Sequence, residues 1–511
     1  MREFMQFTLP NKKIIWQLAL ASVISLGVYL AASGLYFHVG FPLDDSWIHL
    51  TYARNLAVHG EWAFQPGKPS AGSTAPLWTA LLSIGFLLKL GPYIWTYFLG
   101  ALLLFAMGLL GEMVIRRVSP AYQSRFPWVG VFLILEWHLA WSAASGMETL
   151  LHALIITMAL GMLMSGSHRF MTLGLLAGLS VWVRPDGVTL LGPIAVYALA
   201  GRGPALPSRT DALTGRTVSE DEVSGRKRWR DLSLFLIGFA TLFVPYLLFN
   251  LTLAGTPMPN TFYAKQAEYA VWQARPFLSR FGELSLQFFA GPSLALLPGV
   301  IGWFMLSFRK REWGTLAGMV WFAGYLFLYI QRLPVYQHGR YIMPAMPIFF
   351  LWGLAALFEY SKSKAFGRYR WAAVTGWIIL VGVLCFMFWL VGAITYAQDV
   401  ALIESEMVAT AKWVLGNVPQ DDVIAAHDIG ALGYYDKHDL IDLAGLVSPE
   451  VVPFIRDEER LAEFLDRQGA KYLIAFPGFY PLLSRRAEPV FVTEGIGPEL
   501  GGENMIVFHW R

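Results

Sequence analysis

The chain has 511 residues, with 39 Lys+Arg against 36 Asp+Glu; 56% are hydrophobic and only 15% are charged. An average soluble domain is about 25% charged. Together with a mean hydropathy of +0.48, this excludes a soluble multidomain enzyme and a disordered chain, and apolar runs of membrane length recur too often for a single anchor.

The net charge of +3 hides a split: residues 398–511 carry 9 Lys+Arg and 19 Asp+Glu, and residues 1–397 carry 30 and 17. A basic membrane part, 1–397, and an acidic soluble tail, 398–511, are therefore expected as separate domains. The one cysteine, Cys385, can form neither an internal disulfide nor a cysteine-based zinc site.

In chain order, a basic start (Arg2, Lys12, Lys13) precedes an apolar stretch, 14–37, too long for a signal-peptide core. It reads as a retained first helix. Further runs lie near 94–115, 127–143, 148–165, 170–183, 187–200, 232–253, 286–307, 314–330, 341–360 and 371–397. The run at 75–90 is ambiguous. If it spans, the basic loop Arg116–Arg125 falls outside; if it lies along the outer surface, every basic loop falls inside, as Lys and Arg prefer. The expectation is a polytopic α-helical membrane protein with about eleven spans, N-terminus in the cytoplasm, and an interfacial helix at 75–90. The runs 170–183 and 187–200 are short and broken by Arg184-Pro185-Asp186-Gly187, a turn expected to dip below the outer surface. The Gly-, Pro- and Ser-rich segment 201–231 reads as a flexible cytoplasmic linker.

Three long pieces then collect on the outer face: the loop 38–75, the loop 254–285 and the tail. The tail reads as a small α/β domain, with helices near 401–416 and 456–468. Its strands are expected near 423–426, 440–443, 472–476, 489–493 and 505–510. It shows no phosphate-cradling glycine motif and no catalytic-triad pattern.

Candidate chemistry begins at Asp44-Asp45-Ser46-Trp47-Ile48-His49, directly after the first span. The following residues read as a helix capped by Asp45 or Ser46, with Gly60 past its end. The stretch continues through Tyr52-Ala53-Arg54-Asn55-Leu56, His59-Gly60, Pro66-Gly67 and Gly72-Ser73-Thr74-Ala75-Pro76-Leu77-Trp78. Later come Gly146-Met147-Glu148-Thr149, Arg184-Pro185-Asp186-Gly187, Pro257-Met258-Pro259-Asn260-Thr261-Phe262-Tyr263-Ala264-Lys265 and Gly339-Arg340-Tyr341. The tail adds Asp428-Ile429-Gly430-Ala431-Leu432-Gly433-Tyr434-Tyr435 and Asp442-Leu443-Ala444-Gly445-Leu446.

This ordered set resembles the GT-C superfamily of membrane glycosyltransferases, in pattern most like the branch with the terminal arabinofuranosyltransferases. Ser46 puts the aromatic one place late, and Gly-Ser-Thr-Ala-Pro replaces the usual Gly-Thr-Ser-Pro-like run; neither removes an ionisable group.

The resemblance implies a GT-C-like fold and transfer of a sugar from a polyprenyl-phosphate donor to a hydroxyl of a glycan, glycolipid or glycoprotein on the outer face of the cell membrane. An attacking hydroxyl needs a general base. Asp44 is expected to be that base, free to point into a cavity, with Asp45 its partner and the better helix cap. The leaving phosphate needs positive charge where its own charge develops. Arg54, Arg184, Lys265, His338 and Arg340 are the expected donor-phosphate ligands, and Trp47, His49, Trp78, Glu148, Asn260 and Tyr263 the expected acceptor or sugar contacts.

Each has a plainer alternative: Arg54 snorkelling from an interfacial helix, Arg184 and Asp186 as a structural pair, Lys265 as a solvated cation, Glu148 as a charge at a helix N-terminus. Asp44, Asp45 and Glu148 can offer oxygen to a divalent cation, but the set is too sparse for an obligate metal. No nucleic-acid partner is indicated. The rival functions are a polymerase or ligase of lipid-linked glycans, a transporter or flippase of lipid-linked sugars, and a non-enzymatic sugar-binding role. A transporter would carry ionisable groups near the midplane and often repeated halves.

Overall fold

The computed structural model describes residues 9–200, 220–362 and 369–510. Every expected apolar run is largely helical, although 127–143, 187–200 and 286–307 are each divided between two helical segments. The chain opens with α1 (Lys12–Tyr36), α2 (Asp45–His59), a short hairpin of β1 (Ala63–Gln65) and β2 (Lys68–Pro69), and α3 (Pro76–Leu87). Next come α4 (Pro92–Val118), α5 (Trp128–Leu135), α6 (Trp137–Ala144), α7 (Thr149–Met164), α8 (Phe170–Val183) and α9 (Leu191–Ala200). Then follow α10 (Glu220–Ala254), α11 (Asn260–Glu268), α12 (Ala270–Gln273), α13 (Phe277–Phe289), α14 (Ser293–Lys310), α15 (Trp313–Arg332), α16 (Met346–Lys362) and α17 (Arg370–Ile403). Among the described residues, six helices are long and apolar enough to cross a membrane, and α13 with α14, bent by 99°, would make a seventh span if the pair counts as one. The remaining runs lie on shorter or broken helices. Residues around α16 are the most enclosed, with 94% of the best window buried, so this helix is the centre of the bundle.

Three breaks have local causes. Between α5 and α6, Glu136 has extended backbone and its carboxylate accepts the amide of Leu139 and pairs with His138; the side chain caps a new helix rather than continuing the old one. Between α8 and α9, Pro185 stops the first helix and starts a single 3₁₀ turn, Pro185–Leu190. Helix α3, the ambiguous run, has 12 residues and so reaches roughly 18 Å, short of a ~30 Å hydrocarbon core. Of the expected linker, 201–219 lies outside the described residues. Residues 220–231 are not linker but the first turns of α10; Arg226–Arg230 are good helix formers.

The last long helix does not end at residue 397, the expected domain boundary. Helix α17 runs through residue 397 to Ile403, passes a π-helical turn (Glu404–Val408) and continues as α18 (Ala409–Asn417). The tail follows with β3 (Val423–Ala426), α19 (Gly430–Tyr435), β4 (Leu440–Asp442), α20 (Glu458–Gln468), β5 (Ala470–Ala475), α21 (Pro481–Arg486), β6 (Glu488–Val492) and β7 (Ile506–His509). The strand order is β4-β3-β5-β7-β6. Strand β3 pairs parallel with β4 and β5, while β7 runs antiparallel to β5 and β6. The π turn aims two acidic side chains different ways. Glu406 is fully buried and accepts from Met505, Gly497, Asn504 and the Thr493 hydroxyl, which pins the tail to the end of the helix. Glu404 accepts from Tyr93 of α4, 3.2 Å away.

Candidate active site

Helix α2 is the element that decides what faces what. It starts at Asp45 and ends at Gly60, whose φ of 70° closes the helix in the left-handed conformation. The two leading carboxylates are not placed as expected. Asp44 stands at the N-cap position but makes no cap bond to its own helix. Its two oxygens accept instead the backbone N–H groups of Gly430 (2.6 Å) and Ala431 (2.8 Å), the first residues of α19. It is a cap for a helix of the tail, not a group free in a cavity. Asp45 does not cap; one turn of backbone geometry sends it to the other side, where Arg340 Nη2 lies 2.5 Å from Oδ2.

The partner end of α19 is held from the same helix. Arg54 donates to the carbonyls of Tyr434 (2.5 Å) and Gly433 (3.1 Å), with its guanidinium over the Tyr434 ring. A carboxylate at the N-terminus and a cation at the C-terminus both suit the helix dipole. Arg54 therefore clasps the tail and is not among the cavity-lining cations, a correction to its expected phosphate role. At Gly430 a Cβ would lie 2.0 Å from the Asp44 carbonyl oxygen, so only glycine allows the approach.

A cavity of about 360 Å³ opens beside Asp45, with mostly apolar walls and one band of charge. The band runs Asp45, His49, Glu148, Arg184, Asp186, Lys265 and Arg340. His49 Nε2 is 3.3 Å from Glu148, and Arg184 bridges Glu148 (2.9 Å) and Asp186 (3.2 Å). Tyr325 and Tyr329 donate to Asp186 at 2.7 and 2.5 Å. Tyr341 gathers the cations: its hydroxyl accepts from Lys265 and Arg340, each at 3.0 Å, and Arg184, Lys265 and Arg340 all lie over its ring. Arg340 has a side chain 5% exposed, yet its Nε and Nη1 have no hydrogen-bond partner.

Burial alone would push the Asp45 carboxyl up, but Arg340 and then Lys265 hold it well below the usual carboxylate range. Asp44 is pushed the other way, to about 7, by burial and by the nearby Asp428, despite its two amide bonds.

The other expected contacts lie elsewhere. Trp47 is buried among Phe41, Tyr93, Tyr434 and Tyr435, under the tail. Trp78 is buried with its indole N–H on the Gly146 carbonyl, 2.9 Å away. Both fill core and offer no ring to the cavity. His338 pairs with Asp399 at 2.7 Å, packed on Trp137 and Trp141, and does not line the cavity. Nor do Asn260 and Tyr263, although Thr261, Phe262 and Lys265 of the same segment do. Tyr325 and Tyr329 were not among the expected site residues, and Tyr341 stood only as part of the Gly339-Arg340-Tyr341 motif. The signal for the first two was there, a pair of tyrosines four apart on one span and so on one face.

The carboxylates that could offer oxygen to a divalent ion already have partners within the protein. Asp44 is spent on amides, Asp45 on Arg340 and Glu148 on Arg184, and among the described residues no group of three or more His, Cys, Asp or Glu is arranged to hold a metal.

This bundle, with its helical first loop and broken inner helices, has a GT-C-like fold. The chain is similar over 90% of its length to 69% of the oligosaccharyltransferase of Archaeoglobus fulgidus (TM-score 0.59, 13% identity). It is similar over 96% of its length to 97% of ArnT from Cupriavidus metallidurans, a structure bound to undecaprenyl phosphate (TM-score 0.56, 14% identity). A mycobacterial arabinofuranosyltransferase, AftD, aligns over 98% of this chain and 40% of its own, with a TM-score of 0.49 and 15% identity. Residues 392–504 match the model of a domain of unknown function, DUF8728. No curated protein matches the sequence.

Proposed function

We propose that this multi-pass membrane protein is a glycosyltransferase that moves a sugar from a polyprenyl-phosphate donor to a hydroxyl of a cell-envelope glycan, glycolipid or glycoprotein. In this reading residues 1–397 form the catalytic membrane domain, residues 398–511 form an extracytoplasmic domain, and the N-terminus is cytoplasmic. The observation that carries it is Arg340: a buried guanidinium on the cavity wall, paired with Asp45 on one side and with two nitrogen atoms unpartnered on the other. Buried donors without acceptors are costly, and a phosphate oxygen would satisfy them. The undecaprenyl phosphate bound by the fold neighbour ArnT supports a lipid phosphate as that anion, and the mostly apolar cavity wall suits its chain.

Asp45, rather than Asp44, is then the general base. It takes the proton of the acceptor hydroxyl as that oxygen attacks the anomeric carbon. The bond from that carbon to the phosphate oxygen breaks, and its electron pair leaves on the polyprenyl phosphate. Arg340, Lys265 and Arg184 face the charge that develops there. A base held far below neutrality is a weak one. Donor phosphate would share Arg340 and Lys265 with Asp45 and so release its basicity when the substrate is present. Glu148 and His49 hold Arg184 and orient the acceptor.

The test is transfer from a defined polyprenyl-phosphate sugar by protein in nanodiscs. Asp45→Asn should lower turnover about 10²–10⁴-fold without weakening donor binding. Near-normal turnover in that variant would end the reading.

A further inference from the structure

The chain winds left-handed just before Arg340. Gln337 (φ 51°), His338 (φ 58°) and Gly339 (φ 72°) take positive φ one after another. L-residues visit this region singly, because Cβ then crowds the following carbonyl oxygen. Among the described residues, the other non-glycine residues with positive φ, Lys89 and Arg311, each stand alone just past a helix end, where such a residue closes the helix. The turn at 337–339 closes no helix, since α15 has already ended at Arg332. It is a single left-handed 3₁₀ turn. The Gly339 amide donates to the Tyr336 carbonyl (3.0 Å) and the Arg340 amide to the Gln337 carbonyl (3.2 Å).

Strain of this kind persists only where the surroundings enforce it, and it gathers at functional sites. The enforcing contact lies outside the cavity. His338 Nε2 is 2.7 Å from Asp399 of α17, and the same carboxylate oxygen accepts the Trp141 indole N–H at 2.8 Å. The imidazole packs edge-on against Trp137 and Trp141. We propose that His338 is a positioning residue for the transfer reaction: clamped by Asp399, it keeps this turn wound, and the wound turn aims the Arg340 guanidinium at the donor phosphate. The inference rests on the glycosyltransferase reading, in which Arg340 receives that phosphate. Arg340 needs such a clamp. Its Nη2 is satisfied by Asp45 and Tyr341, but Nε and Nη1 are buried without acceptors. A side chain free to swing would carry those donors to water and escape the cost. A turn that cannot relax holds them in place before the anion arrives, so less ordering remains to be done on binding.

The probe is farnesyl phosphate, titrated against the full-length protein in nanodiscs with empty nanodiscs as the blank. Arg340→Ala should weaken binding by about tenfold or more. His338→Ala, which loses the clamp and keeps the strain, should weaken it about tenfold, and should add nothing further in an Arg340→Ala background. His338→Gly loses the same clamp but accepts the left-handed conformation, so it should bind more tightly than His338→Ala. Gln337 is exposed and does not line the cavity, so its variants act through the backbone and guard against a misfolded histidine variant. Gln337→Gly should bind as the wild type does, and Gln337→Val, whose β-branch opposes positive φ, should bind a few-fold more weakly. An equal loss from His338→Ala in both backgrounds, His338→Gly no better than His338→Ala, or Gln337→Val binding like Gln337→Gly would each overturn the positioning role and leave Arg340 as the phosphate ligand. Full binding by Arg340→Ala would remove that ligand from the glycosyltransferase reading, and the purpose of the clamp with it.

Discussion

Asp44 and Asp428 make docking of the tail depend on pH in an unusual direction. Burial and then Asp428 push Asp44 up from 3.8 to about 7. Burial, then Asp45 and Glu268, push Asp428 from 3.8 to about 7. Both carboxyls hold a proton more tightly folded than unfolded. Their contribution to stability is therefore fully present below about pH 4 and lost as the pH rises through about 7. At about 1.4 kcal/mol for each tenfold change in proton affinity, one such carboxyl is worth on the order of 4 kcal/mol, and because the two act on each other the step belongs to the pair.

The perturbation is Asp428→Asn, which keeps shape and removes the like charge while leaving Asp44 buried. The assay is hydrogen exchange of the peptide spanning 428–436, corrected for intrinsic rates and run from pH 5 to 8. Wild-type protection should fall with rising pH. In Asp428→Asn the fall should shift to lower pH, with protection at pH 8 higher than in the wild type. Wild-type protection that is flat or rises over this range would refute the argument.

Three further outcomes follow from the same contacts. Arg54→Ala removes two hydrogen bonds and a cation from the C-terminal end of α19; it should cost about 1–2 kcal/mol of tail docking, read as faster exchange over 430–435, and Arg54→Lys should not restore it. Gly430→Ala forces a Cβ to within 2.0 Å of the Asp44 carbonyl oxygen; transfer should drop at least tenfold while membrane insertion, measured by fractionation, stays normal. For topology, a cysteine placed in 202–230 of a Cys385→Ser background should resist an impermeant thiol reagent in intact cells, and one at 436–439 should react; labelling of both would reject the cytoplasmic N-terminus.

Much of the bundle was legible because hydropathy and breakers are local. Pro185 and the apolar runs announce themselves within a few residues. The break at Glu136 was missed because a carboxylate inside an apolar run becomes a cap only through its own amide bond to Leu139. In the site, the ordered motifs brought Asp45, His49, Glu148, Arg184, Lys265 and Arg340 to one cavity. The order of roles between Asp44 and Asp45 was not legible. Capping rules look along the chain, whereas the amides that claim Asp44 come from a helix 386 residues away. The same holds for Arg54, whose carbonyl partners lie 380 and 379 residues on. Trp47 and Trp78 were misread because an aromatic beside an acidic motif serves core and sugar face equally well in sequence.

The clasp between Asp44 and α19 also sets an order of events. Spans emerge and insert as the chain is made, from the N-terminus onward, so the cavity's cations and Asp45 reach the membrane before the tail exists. Asp45 is one peptide bond from a residue whose side chain is held by the amides of Gly430 and Ala431, and Leu446 closes part of the cavity wall. A chain made only as far as α17 can still pair Asp45 with Arg340, but it leaves the cavity open on the side where Leu446 stands.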